Sequence, residues 1–174
     1  MTLSELQFTF PDATEETWHQ HSNGGGWVQN TASVANTAYV GVDAMVSGKA
    51  RVSGDACVFG NARVSGNASV YGNASVSGYA QVSGHVRVSG NASVSGEAMV
   101  YGGACVSGKA MVCGKAMVFG NARVFGNARV FGYAMVSGDV RVSGNASVSG
   151  DALVSGNARV FGNARVAGYD VISE

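Results

Sequence analysis

Valine stands at every sixth residue from Val28 to Val166 without exception, 24 times in succession. A rule this strict makes the repetition, rather than any single motif, the first thing to read. Two further regularities travel with it. Glycine lies two residues after the valine, unbroken from Gly48 to Gly168, and alanine lies two residues before it, a row broken after Ala32 only by Val86, Val140 and Asp170.

One unit reads Ala122, Arg123, Val124, Phe125, Gly126, Asn127. Side chains of a strand point alternately to opposite faces, so Ala122 and Val124 face one way while Arg123 and Phe125 face the other. The Gly-Asn pair then turns the chain, because glycine accepts positive φ at little cost and asparagine tolerates the left-handed region. A lone strand cannot bury its apolar side, but coil stacked upon coil can. Each strand then pairs with those above and below, and the valines form continuous inner columns.

Identical hexads predict three equal sides and a coil of about 18 residues, hence about eight coils in a rod roughly 38 Å long at about 4.8 Å per coil. Alanine fits where the triangle narrows and valine fills the middle. Burying one valine contributes roughly 1.5–3 kcal/mol, so the columns offset the ordering entropy of so many glycines only as a cooperative stack. The fold expected is therefore all-β: a single-stranded, triangular parallel β-helix over residues 28–174, preceded by a capping segment over residues 1–27. Leu3, Leu6, Phe8, Phe10, Trp18 and Trp27 supply the apolar bulk of that cap, whereas little beyond Gly168 covers the last coil. Asp170, at an alanine position, is a charge of the kind that protects an open strand edge.

The repeat resembles the hexapeptide-repeat left-handed β-helix superfamily, whose pattern sets an aliphatic residue at every sixth position and a small residue four later, as Val124 and Ala128 do here. More narrowly, the recurring "GNARV" and the "GGWV" at Gly25 to Val28 resemble the YdcK-like solenoid group with its N-terminal cap. The repeat likeness spans residues 28–172. It implies a left-handed β-helix and no defined activity. The glycine sits one residue later in the hexad than in the commonest acyltransferase pattern.

Composition narrows the function. Eleven Lys plus Arg balance eleven Asp plus Glu, which suits neither a basic nucleic-acid binder nor an acidic mimic, so nucleic acid is not an expected partner. Met1 to Glu16 holds four acidic residues and neither a cation nor an apolar run, which excludes a secretory signal or membrane anchor there and predicts a cytoplasmic protein with no membrane partner. Cys57, Cys105 and Cys113 are odd in number and lack ligand-like spacing, as expected of reduced thiols.

With 18 residues per coil, each side of the triangle acquires its own outer surface. The first side is apolar: Met45, Met99, Met117, Met135, Leu153 and Val171 share one column, with Tyr101 and Phe119 in the next. Contiguous exposed apolar surface marks association, and methionine adapts to irregular partners, so Met99, Tyr101, Met117, Phe119, Met135 and Leu153 are the expected interface. The second side carries Arg51, Arg87, Arg123, Arg141 and Arg159; the last three occupy consecutive coils and form a candidate anion- or partner-binding ladder. The third side, with Arg129, Phe131, Arg165, Cys57 and Cys113, has no consistent theme.

Hexapeptide acyltransferases combine trimeric packing with a loop thrown out from a coil and a histidine acting as general base. The repeats here carry no insertion, and His85, their sole histidine, has no loop near it to enclose a substrate. Zinc chemistry of the carbonic-anhydrase type needs three histidines, and His19 and His21 lie in the cap, where a polar structural role is expected. Gly24, Gly25 and Gly26 are not a phosphate loop, since no lysine follows. Every threonine precedes Val40, which argues against the threonine ranks of ice-binding solenoids. No catalytic residue, cofactor or metal is expected.

The sequence thus predicts a non-enzymatic solenoid scaffold or protein-binding module that forms homo-oligomers through flat outer faces. The competing readings are an acyltransferase-like enzyme with His85 as base and a filament-forming scaffold resembling the bactofilins. Uniform repeats also suggest recent duplication, as in phage or mobile-element accessory genes.

Overall fold

A computed structural model describes residues 1–173, and they form a parallel β-solenoid with one short helix at the N-terminus. The helix α1 (Leu3–Thr9) is followed by β1 (Trp18–Gln20) and β2 (Trp27–Gln29), which pair antiparallel. From there each hexad contributes one brief strand made of the outward residue and its valine, as in β3 (Ser33–Val34), β4 (Tyr39–Val40) and β5 (Met45–Val46). Successive strands enter three different sheets in rotation, giving three sides and 18 residues per coil. The first sheet has ten strands and runs from β1 and β2 through β5 to Val171–Ser173; the other two have eight each, starting at β3 and β4.

Pairing along every side is parallel and offset by one coil, so Met117 opposes Met135 and Val118 opposes Val136. The ladder continues through the corners: the N–H groups of Met117, Phe119 and Asn121 donate to the carbonyls of Ala134, Val136 and Gly138, each at 2.9 Å. Strands of two residues are stable in this setting because each backbone group finds its partner in the neighbouring coil rather than along its own segment.

The inner columns are dry. The valines of the six-residue row from Val40 to Val154 are 0–1 % exposed, and so are the alanines two residues before them. Val86 and Val140, which replace alanine, are also fully buried and stand in one column. The corner explains the glycine row. Gly120 has φ +70°, and an added Cβ would lie 2.8 Å from the backbone nitrogen of Gly138 in the next coil. Both the torsion and the stacking distance therefore require a residue with no side chain. The residue after the glycine points outward, and where asparagines stack they bond in series: Asn127 to Asn145 and Asn145 to Asn163, each at 3.1 Å.

Residues before the first coil do two things. Thr2 and Glu5 form a capping box that starts α1, and the buried Leu6 joins Ala13, Trp18, Trp27 and Met45 in a second apolar cluster. Trp27 and Met45 are outward positions of the first sheet, so α1 packs on the outer surface of that sheet while β1 extends its edge. Residues near Gly25 serve the edge of β4, with Gly26 donating to the Val40 carbonyl at 2.9 Å and Val40 donating to Asn23 at 3.0 Å. Val34, the inward residue of β3, is left partly exposed. Met45 is buried at 5 % exposure and is not part of the open apolar column that its sequence position suggests. No described helix is long and apolar enough to cross a membrane.

Candidate functional site

Strand pairing sets the outward column of the first side in the order Trp27, Met45, Arg63, Gln81, Met99, Met117, Met135, Leu153, Val171. The first two lie beneath α1, the next two are polar, and the remaining residues form one unbroken apolar run. Met99 and Val171 at its ends are 37 % and 66 % exposed, while Met117, Met135 and Leu153 between them are half-buried by their neighbours. Beside this run, the rings of Tyr101 and Phe119 stack, and the same column continues with Ser137, Ser155 and Ser173. All six interface residues expected from the sequence are thus brought onto one flat surface.

On the second side Arg123 pairs with Arg141 and Arg141 with Arg159, so the three guanidinium groups project from consecutive coils into solvent. Among the described residues, none of them meets a carboxylate; the side-chain ion pair is elsewhere, Lys115 to Glu97 at 3.7 Å. The aromatic partners of cations also lie on other sides, with Lys115 5.4 Å from the Tyr133 ring centre and Arg129 5.6 Å from that of Phe131. Phe125 and Phe161 remain exposed beside their arginines.

His85 is an exposed corner residue. It lines a surface notch of about 540 Å³ with Arg87, Gly103, Cys105 and Arg123. No carboxylate lines the notch to orient the imidazole as a base, and the group that gathers there is cationic. Sequence reasoning took His85 and Arg123 separately and missed that they share a recess. The signal was the glycine pair at Gly102 and Gly103, at a corner where the commonest pair is Gly-Asn. His19 and His21 are engaged structurally: His19 Nδ1 lies 2.7 Å from Asn30 Oδ1, and the buried His21 Nε2 lies 3.0 Å from the Ala38 carbonyl oxygen. Neither joins a cluster of three metal-ligating side chains among the described residues. Cys57, Cys105 and Cys113 are free and half-buried.

A family model described as the YdcK beta-solenoid repeat matches the chain at residues 50–66, 56–72, 62–78, 80–96, 122–138 and 158–174. The matched segments span about one coil each and fall along the length of the rod. No curated protein matches the chain.

Proposed function

Because the chain is a β-solenoid protein built of YdcK-type repeats, we propose that it is a non-enzymatic scaffold that pairs with a second copy of itself through the apolar run of its first side. The observation that carries this reading is the contiguity of Met99, Met117, Met135, Leu153 and Val171 in strand register. Such a run on a flat, loopless surface is an association surface rather than scattered exposed side chains.

The pattern is complementary to itself when two rods lie antiparallel. A twofold axis across the rods at Met135 sets Met99 against Val171 and Met117 against Leu153. In the adjacent column it sets Tyr101 against Ser173 and Phe119 against Ser155, large against small. A parallel pair that sets the two columns against each other would instead press Met99 onto Tyr101 and Met117 onto Phe119, large against large. The antiparallel register also keeps α1 of each copy, on the coils of Trp27 and Met45, beyond the end of its partner. The run is about 24 Å long at about 4.8 Å per coil, an interface at the small end of specific association, so the dimer is reversible and concentration-dependent. The arginine side remains open for an acidic protein partner. The setting is cytoplasmic on this reading, in keeping with three free thiols.

Light scattering coupled to size exclusion tests the reading. The wild type should form a dimer at high concentration and Met117→Glu should be monomeric; a wild type that stays monomeric throughout would end the proposal. Spin labels then test the register. A label at residue 135 should sit beside its mate, whereas labels at residue 99 should lie about 19 Å apart along the rod, four coil steps. Short distances at both positions would mean a parallel pair.

A further inference from the structure

From Lys49 to Tyr169, the residue that follows each corner glycine carries a side chain in every hexad but one, Gly103. The backbone does not ask for glycine there. Gly103 is absent from the residues with positive φ, and an added Cβ would approach only the side-chain oxygen of Asn121, at 3.0 Å, and the Gly120 carbonyl oxygen, at 3.6 Å. Its effect is to leave a gap in the corner column between His85 and Asn121. The gap runs onto the second side at Cys105, a small residue between two arginines, since Arg87 and Arg123 pair with Cys105 from the coils on either side.

We infer that the notch bounded by His85, Arg87, Gly103, Cys105 and Arg123 is a binding site for a phosphate-sized oxyanion. Arg87 and Arg123 arise two coils apart, about 9.6 Å, which leaves room for one such anion with a charge-assisted bond of about 2.8 Å to each guanidinium. Arg123, Arg141 and Arg159 arise only about 4.8 Å apart, with no room for an anion between neighbours. The two arginines approach from opposite walls. A tetrahedral anion presents oxygens in both directions and satisfies both, whereas a carboxylate offers its two oxygens to one side. His85 adds a ring N–H at the rim, and no carboxylate lines the recess to compete for the cations. Gly103 makes the space.

The site is tested by titrating inorganic phosphate into isotope-labelled protein at constant ionic strength, with chloride as control, and following amide shifts. The amides of His85, Gly103 and Cys105 should shift saturably with phosphate and not with chloride. Arg87→Ala and Arg123→Ala should each weaken binding about ten-fold or more. Gly103→Asn restores the common corner residue and fills the recess, so it should abolish binding while leaving the melting temperature unchanged. Arg159→Ala, in the same column but outside the notch, should bind as the wild type does. Three results would overturn the assignment: no saturable response in the wild type, a Gly103→Asn protein that binds as well, or an Arg159→Ala loss equal to that of Arg87→Ala. The last would reduce the effect to the general field of the arginine side.

Discussion

The rings of Tyr101 and Phe119 lie parallel, 2° between planes and 4.8 Å between centroids, because each follows its valine by one residue in coils that pair directly. The spacing of the sheet and the spacing of stacked rings coincide, so the solenoid itself sets the contact. The same register places the stack alongside Met99 and Met117. One backbone repeat thereby builds both a rigid aromatic step and the apolar run next to it.

Replacing one ring should separate these two contributions. In Phe119→Ser the rod loses a stacking contact worth about 0.5–1.5 kcal/mol, a small change for so cooperative a fold. The dimer should suffer more, because the antiparallel register opposes Phe119 with Ser155. Light scattering should show a shift toward monomer at a concentration where the melting temperature is nearly that of the wild type.

Gly120→Ala should be destabilising on two counts. A non-glycine residue in the left-handed region costs about 1–2 kcal/mol, and the new Cβ would meet the Gly138 backbone at 2.8 Å. Gly162 has nearly the same torsion, φ +67°, but nothing within 4 Å of an added Cβ. Thermal melts of Gly120→Ala and Gly162→Ala should therefore differ, with the first lower by the cost of the contact. Equal melting temperatures would show that torsion alone sets the penalty.

Val118 is fully buried in the middle of its column. Val118→Asp places a carboxylate in an apolar interior with no donor, at a cost of several kcal/mol. Circular dichroism should show the central coils unfolded at room temperature or a melting temperature lowered by many degrees. A wild-type melt would mean that this valine rank does not face inward.

The capping box makes α1 sensitive to acid. Glu5 is held below its ordinary value of 4.5 chiefly by the backbone N–H of Thr2, which donates to its carboxylate at 2.6 Å, and next by the Thr2 hydroxyl. A carboxylate with a lowered folded-state pKa contributes fully above its unfolded value, and the contribution is lost as pH falls through the folded one. Acidification below about 4.5 should therefore loosen α1 from Trp27, whose indole N–H donates to the Met1 carbonyl at 3.1 Å. Tryptophan fluorescence should report the change. Glu5→Gln should remove its pH dependence.

Much of this architecture is legible residue by residue. Ala122 and Val124 had to share a face because strand side chains alternate, and Gly126 had to turn the chain because the hexad returns unchanged six residues later. Repetition makes every coil's surroundings nearly the same, so a local rule holds for the whole rod. The columns of Met99 to Val171 and of Arg123 to Arg159 follow from the same arithmetic of 18. Contacts that break the repeat do not. Met45 carries the signature of an exposed rank, yet Leu6 and Trp18 cover it, and no periodicity connects those residues.

The notch shows the same division. His85, Arg87, Gly103, Cys105 and Arg123 are each legible as positions on a corner or a side. That they enclose one recess depends on the absence of a side chain at Gly103 and on how far its neighbours reach across adjoining coils. Periodic, local forces of alternation and torsion decided the coil, and the sequence states them openly. Where α1 docks and where the surface is indented depend on side-chain volume between distant residues, which only the tertiary structure brings together.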